Sequence, residues 1–229
     1  MSDWLAVFGI VALAGLIVFL VYWLLVATEG IYLGQRVVTW LYDVYAGRYE
    51  DIKGFQPHLE MQYVGQPLMH EIEPNMSPLV LDVATGTGRL PMTLLRYKRF
   101  SGRVIGVDLS MRMMDVAMRK TDAPNVSFAQ APAERLPFPD STFDVVTCLE
   151  ALEFMRDAQQ ALAEMLRVLK PGGVLMTTRR VTARWMPTRA WTPGAMMARL
   201  EDIGYERVEF QRWQVDYDLV WARKPGPQP

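Results

Sequence analysis

Leu79-Val80-Leu81-Asp82-Val83-Ala84-Thr85-Gly86-Thr87-Gly88-Arg89-Leu90-Pro91-Met92-Thr93-Leu94-Leu95 is the stretch on which the fold turns. It opens as a short apolar run with one acid near its end. A turn of small residues follows, and then a segment whose pattern predicts a helix over 89–95. Strand, small-residue turn and helix form the opening unit of a doubly wound α/β sheet. Glycine lets a ligand approach the backbone, and a helix start offers N–H groups that lack intrahelical partners. Pro91 suits the first turn, where its missing N–H removes no bond. About twenty residues on, Gly102-Arg103-Val104-Ile105-Gly106-Val107-Asp108-Leu109-Ser110 predicts a second strand ending in an acid, where nucleotide-binding sheets grip ribose hydroxyls. Neither pyrophosphate motif is met. Pro91 stands where a dinucleotide fingerprint wants its third glycine, and Arg89-Leu90 replaces the Lys-Ser/Thr of a P-loop.

Downstream, the pattern predicts a helix over 111–120 and a buried strand over 143–149. Glu150-Ala151-Leu152-Glu153-Phe154-Met155 then falls at a strand's carboxyl end, where open α/β sheets place ligands. Glu150 or Glu153 fits either of two roles there, positioning a substrate or capping the next helix. A helix over 158–169 presents Leu162, Met165, Leu166 and Leu169 on one face, and a strand over 174–178 follows. A helix over 196–203 ends at Gly204. Segments 208–213 and 215–221 fit a closing antiparallel pair. Between strand and helix, 179–191 interleaves four arginines with two tryptophans, a composition that suits anionic headgroups, a substrate entrance or a solvated loop.

Upstream, no charged residue occurs from Trp4 to Ala27. As a helix that run is about 36 Å long, and a hydrocarbon core needs about 20 residues. Trp4, Tyr22 and Trp23 sit near its ends, as interfacial rings do. A signal peptide wants a basic flank, which Met1-Ser2-Asp3 lacks, and a core helix is rarely apolar all round. Lys and Arg begin only after the run, at Arg36, Arg48 and Lys53, which places the following domain in the cytoplasm. The reading is a single-pass membrane protein with a transmembrane anchor over 1–29. An aromatic-rich linker over 30–55 follows, with a helix over 35–46 that packs on the domain, lies at the interface or closes over a site. Residues 56–224 form the α/β domain and 225–229 a frayed tail. A formal net charge of −1 argues against a nucleic-acid partner. One cysteine, Cys148, excludes an internal disulfide and a multi-cysteine metal site.

On these motifs, 38–224 resembles the class I methyltransferases that use S-adenosylmethionine (SAM), in particular the ubiquinone/menaquinone C-methyltransferases. The resemblance implies a Rossmann-like doubly wound α/β fold, a seven-stranded sheet with its last strand antiparallel, here preceded by one transmembrane helix. It implies that Asp82, Ala84, Thr85, Gly86, Thr87 and Gly88 cradle the methionine part of SAM. Asp108 with Leu109 would hold the ribose, and Ala133, Glu134 and Leu149 would border the adenine. The segment 42–50 resembles the helix that closes over the cofactor, and 166–173 the turn into strand five. Two positions depart from the family pattern. Ala84 stands where glycine is frequent. Pro132 stands where an acid often accepts from the adenine amino group, which leaves that edge to backbone near Ala133, helped by Gln130.

The expected chemistry is methyl transfer to a small hydrophobic or membrane-borne acceptor: a quinone, lipid, thiol or phenol. The alternative is a SAM-binding membrane scaffold or regulator without turnover. No general base is evident. Tyr49, Glu153 and His58 are the residues to weigh, and neither His58 nor His70 has partners at metal or triad spacing. No metal is expected, and no oligomeric state is assigned.

Overall fold

The computed structural model describes residues 2–181 and 190–226, so the 179–191 stretch and the tail lie partly outside the described residues. Its sheet comprises β1 (Leu79–Val83), β2 (Arg103–Asp108), β3 (Val126–Gln130), β4 (Phe143–Cys148), β5 (Leu169–Arg180), β6 (Glu206–Arg212) and β7 (Tyr217–Arg223). The spatial order is β3-β2-β1-β4-β5-β7-β6. Pairing is parallel from β3 across to β5, and β7 runs antiparallel to both β5 and β6. The chain winds outward in opposite directions from β1 and from β4. The carboxyl ends of those two strands therefore form the switch point at which such sheets take ligands.

Period-2 alternation divides the strand side chains between two faces. Val80, Val104, Val145, Met176 and Leu219 pack on one side with Leu68, Leu90 and Leu94. Leu81, Val146, Leu175 and Val220 pack on the other with Leu162, Met165, Met196 and Leu200. Both faces are apolar because both are covered, and burying each such leucine contributes about 2 kcal/mol.

The N-terminal helix α1 (Ser2–Tyr22) runs into a π-helical turn, Trp23–Ala27. The apolar stretch Trp4–Ala27 is long enough to cross a membrane, and none of it is buried in the domain. Trp4 is 81% exposed and Phe8 74%, which a soluble core helix would not tolerate. The chain then turns back at Gly30 (φ 75°), where a Cβ would lie 2.8 Å from Leu41. Trp23 stacks on Tyr32 at 5.2 Å. Next come α2 (Gln35–Tyr45), α3 (Tyr49–Lys53), α4 (Pro57–Glu60) and α5 (Gln66–Glu71), of which α2 is one residue shorter than its sequence pattern predicts. After the sheet begins, the helices are α6 (Arg89–Leu94), α7 (Met111–Lys120), α8 (Ala158–Val168) and α9 (Pro193–Ile203). Ser110, Asp157 and Thr192 cap α7, α8 and α9 by accepting from backbone N–H groups three residues on. Gly204, at φ 112°, ends α9 in the left-handed conformation.

Candidate active site

The turn after β1 passes through the left-handed region three times, at Ala84 (φ 55°), Gly86 (φ 55°) and Gly88 (φ 80°). At Gly88 the glycine is also required by a close approach, because a Cβ would sit 3.1 Å from that of Ala117 on α7. Asp82 braces the turn from beneath. Its carboxylate accepts from the Thr85 and Thr147 hydroxyls, each at 2.7 Å. Complete burial raises its pKa to about 6, with the two hydroxyls opposing the rise. Asp108 closes the turn from the side. One oxygen accepts from the Gly86 N–H and the other from the Ser110 N–H, each at 2.8 Å. Burial lifts its carboxyl above the ordinary range, and these N–H groups counter the lift.

Above the turn lies a cleft of about 730 Å³, counting its open mouth. One wall is Ala84, Gly86, Asp108, Leu109 and Ser110; another is Ala131, Ala133, Leu149, Glu150 and Ala151. Its roof is the linker: Gln35, Val38, Thr39 and Tyr42 of α2, together with Tyr49. This roof is fastened at several points. Asp43 accepts from the Ser110 hydroxyl at 2.5 Å, and Tyr42 donates to Glu29 at 2.7 Å. Tyr42 also packs against Tyr49 and, edge-on, against Phe154. Glu50 accepts from the Thr87 hydroxyl at 3.0 Å and pairs with Lys120, which donates to the Thr87 carbonyl at 2.6 Å. Burial, and then the nearby Glu150 charge, hold the Tyr49 phenol protonated well above neutral pH, so at neutral pH it acts as a donor and not as a base.

A buried ion cluster flanks the turn. Arg89 donates to both oxygens of Glu60, at 2.6 and 2.9 Å, and to Glu150 at 2.7 Å. Its guanidinium lies over the rings of Phe55 and Trp213. Sequence reasoning missed this cluster, because Glu60 and Trp213 come from segments with no motif of their own.

Of the residues weighed from sequence, Tyr49, Ala84, Gly86, Asp108, Leu109, Ala133 and Leu149 line the cleft. Asp82, Thr85 and Thr87 line a smaller recess that Tyr49, Ala84 and Gly86 share. Gly88 lines neither space, and three further residues fall elsewhere. Glu134 turns toward the start of α8 and accepts from the Arg156 and Asp157 N–H groups at 3.0 and 3.3 Å, so it caps a helix end and does not face the cleft. Glu153 is buried beside a different pocket, bound to Tyr217 and to Arg180. His58 is exposed on α4. Glu150, which shares the Glu153 segment, is the carboxylate that reaches the cleft. Its backbone is held at φ 52°, and its N–H donates to the Thr178 hydroxyl at 2.7 Å. Pro132 is exposed, and the Gln130 amide is engaged with the Leu109 carbonyl at 2.8 Å. No cluster of metal-ligating side chains occurs among the described residues.

The residues present fit an adenosyl group. Gly86 keeps the cleft floor clear where a Cβ would protrude, and each Asp108 oxygen keeps acceptor capacity beyond its one N–H bond. Residues 81–177 match a family model described as a methyltransferase domain. The chain carries a class I SAM-dependent methyltransferase domain. It is 45% identical over 101 residues to the ubiquinone/menaquinone biosynthesis C-methyltransferase UbiE of Stutzerimonas stutzeri, covering 42% of this chain and 40% of that one. With the corresponding protein of Geobacter sulfurreducens it shares 44% over 98 residues, 41% of this chain and 38% of that one. The match thus spans about two fifths of the length of these relatives. Among solved structures, a SAM-dependent methyltransferase from Aquifex aeolicus aligns with a TM-score of 0.60 at 22% identity, over 75% of this chain and 95% of that one. The [4+2]-cyclase SpnF aligns with a TM-score of 0.67 at 20% identity, over 84% and 97%. At these identities the structural likeness speaks for the methyltransferase fold, whose members include a cyclase.

Proposed function

We propose that this protein methylates a small apolar acceptor drawn from a membrane, with a quinone ring carbon as the favoured acceptor atom. The observation that carries the reading is the roof of the cleft. It is aromatic and apolar where an acceptor must sit, and it belongs to the segment directly following the one helix, among the described residues, that can cross a membrane. The sister names of the UbiE relatives favour a quinone. The basic residues Arg36, Arg48 and Lys53 after that helix favour a cytoplasmic domain.

SAM, when bound, supplies a methyl group on an electrophilic sulfonium. The chain's own part is to bind, orient and exclude water. Asp108 would hold the ribose hydroxyls, and the glycine turn would hold the amino-acid end. Tyr42, Tyr49 and Phe154 form a wall against which a flat ring stacks. Glu150 is the carboxylate at the cleft available to take a proton from a ring hydroxyl, and Arg89 fixes its orientation.

Incubation of membrane extracts with radiolabelled SAM tests the proposal. Label should enter a lipid-extractable small molecule with the wild-type protein and not with Asp108→Ala. Label confined to protein or RNA would overturn it. Calorimetric titration with SAM separates a second class of role: saturable binding without any transfer would make the protein a SAM-bound scaffold or regulator.

A further inference from the structure

The linker helix α2 carries two apolar faces, and the domain covers one of them. Val38 and Leu41 are buried, and Val38 and Tyr42 roof the cofactor cleft. Leu33, Val37, Trp40 and Val44 recur at helical spacing and form a second stripe. Val37 is half-buried, but Trp40 is 57% exposed and Val44 58%. A helix seated on a domain by one apolar face ordinarily turns polar residues to water. Here the outer face offers a tryptophan and aliphatic side chains instead.

Charge around the stripe is one-sided. Arg36 and Arg48 are exposed and make no ion pair among the described residues. Lys53 adds a third cation, over the Tyr49 ring. Of the acids in the same segment, Asp43 is engaged with Ser110 and Glu50 with Thr87 and Lys120, which leaves Asp51 open to solvent. The stripe is also tied to the apolar helix before it. Trp23 stacks on Tyr32, and the Gly30 N–H donates to the Leu24 carbonyl at 2.9 Å. α2 has 11 residues and is about 16 Å long. The whole stripe therefore stays close to the point where a span over Trp4–Ala27 would leave the hydrocarbon.

That position selects the occupant. Interfacial helices combine an aromatic and aliphatic face with basic flanks, and they seat that face about 5–10 Å into the boundary between headgroups and acyl chains. Anionic headgroups answer Arg36 and Arg48. A protein partner or a second copy would have to reach a face that the bilayer already adjoins. We propose that the face of α2 carrying Leu33, Trp40 and Val44 lies in the headgroup–acyl boundary of the membrane that the N-terminal helix crosses. A recess lined by Gln35, Arg36, Thr39, Trp40, Asp43 and Leu109 adjoins this face and shares Gln35, Thr39 and Leu109 with the cofactor cleft. Seated this way, the cleft meets lipid beside Trp40. The inference rests on the membrane reading of Trp4–Ala27 and on no identity for the methyl acceptor.

The test uses the full chain reconstituted in phosphatidylcholine vesicles that contain phosphatidylglycerol. Cys148, the one native cysteine, is buried, so a cysteine introduced by Val44→Cys, Leu13→Cys or Lys98→Cys takes a nitroxide label selectively. Lys98 is exposed and precedes β2, at the end of the sheet away from the cleft. Accessibility of each label to oxygen and to a water-soluble nickel chelate reports its depth. The Val44→Cys label should lie about 5–10 Å inside the boundary, the Leu13→Cys label in the hydrocarbon and the Lys98→Cys label in water, with SAM affinity unchanged as the sign of an intact fold. A Val44→Cys label as open to the chelate as the Lys98→Cys label, with the Leu13→Cys label in the hydrocarbon, overturns the proposal and leaves the anchor standing. A Val44→Cys label shielded from both reagents, with spin–spin broadening, assigns this face to a second copy and overturns it equally. A Leu13→Cys label open to the chelate removes the anchor and the proposal with it. Methyl transfer is not read in any arm, so the test of the acceptor stands apart.

Discussion

Asp82 and Asp108 read alike in sequence, each an acid near the end of an apolar strand, yet the fold puts them to different uses. Asp82 is the penultimate residue of β1, in register with Thr147 of β4. It therefore stays within the sheet layer, 3% exposed, and spends its oxygens on two hydroxyls. Asp108 is the last residue of β2, so its carboxylate emerges at the switch point, held by two backbone N–H groups and open to the cleft. One residue's difference in distance from the strand end separates a brace from a contact.

The largest effect that tests this contrast is on cofactor affinity. Asp108→Ala should weaken SAM binding about 100-fold or more, because two charge-assisted hydrogen bonds are lost at about 1.5–3 kcal/mol each. Asp82→Asn should weaken it less than about threefold, since Asn still accepts from one threonine hydroxyl. Calorimetry on both variants decides the matter, and equal losses would erase the distinction.

Next in size is a pH effect read at Asp82 by comparison with its amide variant. Its folded pKa, about 6, lies above the ordinary value of 3.8, so the folded state holds the proton more tightly than the unfolded chain does. That stabilisation is complete below the unfolded value and disappears as pH rises through about 6. At about 1.4 kcal/mol per pH unit, the gap amounts to roughly 3 kcal/mol. Urea midpoints should show wild type losing most of this relative to Asp82→Asn between about pH 3.8 and 6, the window set by the two values. A constant difference across that range would mean that the carboxylate is ionised throughout at no expense.

Legibility followed the same division between local pattern and distant partner. The helix expected over 111–120 forms over those residues, and the strands expected over 143–149 and 215–221 form as β4 and β7, the first one residue shorter and the second shifted by two, because each buries a face that its own neighbours in sequence define. The antiparallel last strand was expected from the resemblance, and β7 runs so. The helices over 57–71 were not legible, since Pro57, Gly65 and Pro67 interrupt the apolar period that would announce them. Nor was the Arg89 cluster, whose partners Glu60, Glu150 and Trp213 are gathered only by the sheet. Glu134 and Glu153 were weighed for a binding or catalytic role by position, and what position alone omits is the direction of a side chain. A helix start drew in the first, and Tyr217 with Arg180 drew in the second.

The smallest effect lies in the turn that joins the two acids. Ala84 sits at φ 55°, a conformation that disfavours any residue with a Cβ by about 1–2 kcal/mol. Glycine removes that strain but loses about 0.5–1 kcal/mol more conformational freedom on folding. Ala84→Gly should therefore stabilise the protein by only about 0.5 kcal/mol, a rise in melting temperature of about 1–2 °C for a chain of this size. Gly86→Ala should do the reverse by a larger amount, because it adds the same strain and places a Cβ on the cleft floor 3.4 Å from the Met113 methyl. If Ala84→Gly instead lowers SAM affinity while raising stability, the strained alanine is holding the turn in its binding shape, and the Asp82 brace beneath it does not set that shape alone.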